Sequence, residues 1–183
     1  PLALVPSPLH TPSIDLTYPV RHLSDRDHPM TNPLLELTAL PAFDRFAPDQ
    51  VLPAIDACLS RFTQKVAEVT AAAGSEPSWD TLMAPLETEE AALERAWGPV
   101  THLHSVADSD ALREVYQQAL DQITEFSSAL GQNRDLFEAV NRLRASASFD
   151  ALRADQKAVV EHELRDFMLS GVALEEPART RYR

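Results

Sequence analysis

Apolar residues in the middle of the chain recur every three or four positions, the interval at which an α-helix returns to the same face. Val51, Ile55, Leu59, Phe62, Val66 and Val69 form one such stripe. They predict a first helix over 49–73, with Pro48 and Pro53 tolerated near its first turns and Gly74 as its stop. Ser78 is a good cap for a second helix, which Pro85 interrupts before it resumes at Leu86. Gly98-Pro99 predicts a further kink, because proline removes a donor and crowds the preceding turn. Beyond it Val100, Leu103 and Val106 keep the period. The clearest stripe is Leu112, Val115, Tyr116, Ala119, Leu120, Ile123, Phe126 and Leu130, a third helix over 110–130 capped by Ser109 and ended by Gly131. Asn133 caps a fourth helix whose inner face is Leu136, Phe137, Val140 and Leu143. After an Ala/Ser turn over 145–149, a fifth helix runs over 154–170 and stops at Gly171. About five helices joined by short connections make an all-α, antiparallel helical bundle.

Composition sharpens this picture. The chain is rich in Ala, Leu, Glu, Gln and Arg, which lose little side-chain freedom in a helix. It holds four glycines in 183 residues, and all four are expected at helix ends or breaks. Residues 1–29 differ in kind: Pro1, Pro6, Pro8, Pro12, Pro19 and Pro29 break every apolar period, so the stretch reads as an extended or disordered leader. Met30 opens Met30-Thr31-Asn32-Pro33-Leu34-Leu35, the pattern of a natural start, which would make the leader an artefact or upstream sequence. The helical domain is therefore placed at 30–183. At its far end Leu174-Glu175-Glu176-Pro177 reads as the opening of a sixth helix that the chain does not complete, the pattern of a truncation.

A formal net charge of −12 excludes nucleic-acid backbones and anionic membrane surfaces as partners, since both are held by Lys and Arg. No run of about 18 apolar residues predicts a membrane-spanning helix. The single cysteine, Cys58, falls on the first stripe and reads as a small buried hydrophobe. The absence of a signal-peptide core points to the cytoplasm.

Catalytic chemistry is hard to find. His102 and His104 are two residues apart and point in opposed directions on a helix, one ring packed and one solvated. His162-Glu163-Leu164-Arg165-Asp166 begins like the zinc-protease motif H-E-x-x-H, but its fifth residue is aspartate, which leaves a lone surface histidine. Pro99, Thr101 and Val159 stand three residues before the histidines where a di-iron bundle needs glutamate. No two glycines are closer than 24 positions, so no phosphate-cradling loop exists. Glu89-Glu90 and Glu175-Glu176 read as solvated or helix-start acids. No residue is assigned a catalytic, cofactor-binding or metal-ligating role.

Three stretches carry a resemblance: Trp97 to Val106 (WGPVTHLHSV), Leu112-Arg113-Glu114-Val115-Tyr116, and Leu164 to Val172 (LRDFMLSGV). In order and spacing they resemble the N-terminal region of the thimet-oligopeptidase-like zinc metallopeptidases, over 30–183. The resemblance implies a zinc-dependent oligopeptidase of the cytoplasm that hydrolyses short peptides. In that family a zinc held by the H-E-x-x-H histidines and a downstream glutamate activates water. None of those residues maps onto this chain. The helical region is then one wall of the substrate channel, inactive without the C-terminal catalytic domain, its missing partner. The zinc belongs to the full-length protein and not to these residues. His104, standing where the family pattern carries asparagine, and residues 1–29 depart from the family. Gly98-Pro99, Arg165-Asp166 and Gly171 read as scaffold: a kink, a local ion pair and a helix end. Two other readings are a free-standing helical protein-interaction module and a metal-binding bundle using His102, His104 and His162. As part of a longer enzyme, the chain is expected to expose an apolar face where the missing domain docks.

Overall fold

A computed structural model describes residues 32–36, 40–41, 43–74 and 76–172. The leader at 1–29 and the sixth helix expected from Leu174 lie outside the described residues. Among these residues every regular element is helical: α1 (Val51–Ala72), α2 (Ala84–Val106), α3 (Asp110–Gly131), α4 (Arg134–Arg144), α5 (Ala147–Asp150) and α6 (Ala154–Leu169). The all-α class holds.

The helix starts follow from local chemistry. Asn32 caps the short 3-10 turn Pro33–Leu35, and its Nδ2 donates to the Gln50 carbonyl at 2.6 Å, tying that turn to the start of α1. Ser109 Oγ accepts from the Leu112 N–H at 3.1 Å to start α3, and Asn133 Oδ1 accepts from the Leu136 N–H at 3.0 Å to start α4. Each satisfies a backbone donor that has no partner in the first turn. Ser78 caps as expected, but it opens a single wide π turn, Trp79–Met83, which runs directly into α2.

Pro85 therefore sits in the first turn of α2, where its missing N–H costs nothing, and does not interrupt the helix. At Gly98-Pro99, where a kink is expected, α2 continues as a helix through a buried Pro99 to Val106. One of the four glycines, Gly98, thus lies inside a helix and not at an end. Val106, expected on the stripe, is 66% exposed. The turn expected at 145–149 contains the one-turn helix α5, which buries Phe149.

Gly171 ends α6 in the left-handed region, at φ 79°, where a side chain is strained. Its N–H donates to the Met168 carbonyl at 3.1 Å, and the Val172 N–H donates to that of Phe167 at 3.3 Å. This paired closure folds Val172 back onto Phe167 in the core.

Two apolar clusters form the interior, and α1 runs through both. Its first half (Val51, Ala54, Ile55 and Cys58) packs with Ala96 and Val100 of α2 and with Leu112 and Ala119 of α3. Its second half (Phe62, Val66 and Val69) packs with Leu82 of the π turn, Leu143 of α4 and Val160 of α6. As α1 advances from Cys58 to Arg61, its partner on α2 recedes from Ala92 to Glu89, so the two helices are antiparallel. α4 and α6 are antiparallel too: Phe137 meets Phe167 at 5.8 Å between ring centroids, and Arg144 meets Glu161 at 3.2 Å. On the α2–α3 side, Trp97 stacks on Tyr116 with ring centroids 4.8 Å apart.

Leu143 is fully buried where α4 closes the second cluster. Leu143→Ala is expected to lower the unfolding free energy by about 2–5 kcal/mol through lost burial and the cavity left behind. Val106→Ala, at an exposed site, stays within about 0.5 kcal/mol. Urea denaturation of both variants checks the pair, and equal losses would contradict this account of the core.

Candidate functional site

The two clusters do not close completely on each other. Between them lies a cavity of about 380 Å³. Phe62 and Val140 line it from one cluster, and Leu93, Trp97 and Ile123 from the fringe of the other. Its position explains an oddity of α3. That helix carries the clearest apolar stripe in the sequence, yet only Leu112 and Ala119 of the stripe are fully buried. Ile123, Phe126 and Leu130 stay half-buried because their apolar faces border this gap.

Four carboxylates share the lining: Glu87, Glu90 and Glu94 of α2 and Glu163 of α6. The first three recur at the helical interval and fall on one face beside Leu86, Leu93 and Trp97. No lysine, arginine or histidine lines the cavity, and among the described residues no ion pair or side-chain hydrogen bond reaches any of the four acids. The electrostatic consequence falls on two of them. Desolvation pushes the half-buried Glu163 carboxyl up, with Glu90, Asp166 and Glu87 adding like charge. Glu90 keeps an exposed face, yet it is also pushed up, by desolvation first and then by Glu94 and Glu87.

The residues weighed from the sequence lie elsewhere. His102 is exposed and tilts against Phe43 at 5.2 Å between ring centroids. His104 meets Tyr116 edge-on at 3.9 Å, with its Nδ1 3.8 Å from Asp108. His162 is exposed on α6, and Arg165 and Asp166 form an exposed local pair at 3.5 Å. Cys58 is 1% exposed, and burial pushes its thiol up against the opposing pull of Arg61, so it is no nucleophile. Glu89-Glu90 proves to be neither a helix start nor a uniform solvated pair. Both residues lie mid-α2, where Glu89 accepts from Arg61 Nε at 3.2 Å and Glu90 lines the cavity. Glu175-Glu176 lies outside the described residues. Among the described residues no three His, Cys, Asp or Glu side chains are grouped to hold a metal ion, and no helix is long and apolar enough to cross a membrane.

Residues 50–179 match the family model described as the neurolysin/thimet oligopeptidase N-terminal domain. The chain is 39% identical over 153 residues to oligopeptidase A of Escherichia coli, covering 84% of this chain and 22% of that protein. It is 37% identical over 155 residues to oligopeptidase A of Haemophilus influenzae, with coverage of 84% and 22%. A more distant relative is the probable cytosolic oligopeptidase A of Arabidopsis thaliana, 30% identical over 160 residues, covering 87% of this chain and 22% of that one. The chain thus spans about a fifth of the length of these curated relatives.

The raised Glu163 carboxyl has a sign that can be measured. The folded chain holds this proton more tightly than the unfolded chain, so stability falls as pH rises from the ordinary carboxylate range through the raised value. Glu163→Gln removes the ionised state and is expected to raise the thermal midpoint at pH 7. The gain vanishes below the ordinary carboxylate range, where wild type is protonated in both states. A lower midpoint than wild type at pH 7 would contradict the assignment.

Proposed function

The chain belongs to the neurolysin/thimet oligopeptidase N-terminal domain family, and from that premise we propose that it is the non-catalytic helical domain of a zinc-dependent oligopeptidase that hydrolyses short peptides. The match over residues 50–179, set against relatives of which the chain covers about a fifth, carries this reading. Hydrolysis of an amide needs an activated water, which in a zinc peptidase is supplied by a metal held by histidine and carboxylate ligands. The residues here do not fit such a centre: the described histidines are scattered, and the carboxylates of the cavity have no histidine among them. No hydrolytic step is therefore routed through this chain.

What the chain contributes is shape. A rigid bundle forms one wall of the substrate channel, and such a wall admits short, unfolded peptides and turns folded proteins away. The catalytic domain is its partner, and short peptides are the substrates it helps to select. We place the enzyme in the cytoplasm, the compartment for which the probable cytosolic oligopeptidase A of Arabidopsis thaliana is named.

The test is complementation. The purified chain, incubated with zinc and a quenched fluorescent peptide, is expected to show no hydrolysis above buffer. Adding the separately purified remaining four fifths of the Escherichia coli relative restores cleavage that a chelator abolishes. Chelator-sensitive turnover by the chain alone would overturn the non-catalytic role.

A further inference from the structure

We propose that the cavity between the two cores is a binding site for a short peptide segment that places an apolar side chain beside a lysine or arginine. The proposal takes its class of occupant, peptide, from the function proposed above; the site itself stands on the geometry.

The gap has the size and lining of a ligand site. At about 380 Å³ it lies near the lower end of the range for small-molecule pockets, with room for two or three side chains and not for a docked domain. Its walls come from separate helices: Phe62 on α1, Trp97 on α2, Phe126 on α3 and Phe167 on α6. The rings of Phe62 and Phe126 are 5.1 Å apart, so this wall is preorganised by its own packing. An aliphatic or aromatic side chain entering here gains burial that the two cores leave incomplete.

The charge pattern then selects among apolar peptides. Glu87, Glu90 and Glu94 edge the cavity on α2, and Glu163 faces them from α6. An anion brought to this edge meets four like charges. A neutral segment leaves them partly desolvated and unpaired, which is costly. A guanidinium or ammonium beside the inserted apolar side chain supplies the one charge that the lining lacks. It is drawn further by the overall charge of −12. The raised Glu163 and Glu90 carboxyls are consistent with acids desolvated by the cavity wall and held close to one another.

The experiment uses the full chain and three fluorescein-labelled hexapeptides of equal length. One is leucine, phenylalanine and arginine; in the second glutamate replaces arginine; in the third glutamine does. Fluorescence anisotropy is expected to show saturable binding of the cationic peptide, at least tenfold weaker binding of the neutral one and none of the acidic one. Glu90→Gln/Glu163→Gln is expected to weaken the cationic peptide about tenfold or more. The control Glu114→Gln/Glu125→Gln removes two exposed acids of α3 outside the cavity and leaves binding within twofold. Ser127→Trp, which fills the gap from an exposed position, abolishes binding of every peptide while circular dichroism stays helical. Equal weakening by the two double variants would reduce the effect to net charge and overturn the proposal. Failure of any peptide to bind would do the same. A second copy as the occupant would appear in sedimentation as a dimer that Ser127→Trp dissociates, and a segment of the longer protein would appear as loss of peptide binding when the remaining four fifths are added. Either result overturns the peptide assignment. Because anisotropy reads binding without turnover, a negative complementation assay leaves this result standing, and the reverse also holds.

Discussion

The structure depends on one apolar stripe shared between two cores. Residues of α1 from Val51 to Val69 face inward along a single side of the helix, the first half serving α2 and α3, the second half serving the π turn, α4 and α6. A helix of 22 residues is about 33 Å long, more than one compact cluster needs, so the same stripe can organise two. Burying it ties the stability of both clusters to the continuity of α1, as a single strut would. The antiparallel run of α2 beside it, fixed by the Cys58–Ala92 and Arg61–Glu89 contacts, keeps the two clusters in one register.

Two cores on one strut leave a seam, and the seam is where this molecule departs from a closed bundle. Apolar side chains that would normally interlock stop short of one another, and the row Glu87, Glu90, Glu94 runs along the edge with Glu163 opposite. Solvation alone would favour ionised carboxylates spread over the surface. Their place beside an apolar gap raises the energy of the charged forms of Glu90 and Glu163, an arrangement that suits a cationic partner better than it serves stability. A structural cost concentrated at one place, in a family of peptidases, makes the seam the part of this domain with most to say about selection.

Much of the fold was legible along the chain because its signals are local. Ser109 and Asn133 announce their helices through side-chain oxygens that need only the next turn, and Gly171 ends α6 through a backbone angle that glycine alone adopts freely. The misreadings came from a proline and from burial. Pro85 looks like a breaker until the π turn before it places it in a first turn. The α3 stripe records which face is apolar, not whether anything covers it. The cavity was half visible: Glu87, Glu90 and Glu94 share a face beside Leu86, Leu93 and Trp97. The contribution of Glu163 was not, because it requires α6 to arrive beside α2 from some seventy residues away. Glu163 instead drew notice for the wrong reason, as part of an incomplete zinc motif.

The chain belongs to the neurolysin/thimet oligopeptidase N-terminal domain family, and the function proposed for it is selection and support, with the chemistry supplied by the rest of a longer enzyme. A chimera measures this most directly, with residues 30–183 replacing the corresponding first fifth of Escherichia coli oligopeptidase A. The account predicts an active, chelator-sensitive enzyme whose kcat on a short unstructured peptide stays within a few fold of the parent, with changes confined to KM and to the peptides accepted. A chimera that folds and binds zinc but has lost kcat by orders of magnitude would contradict it.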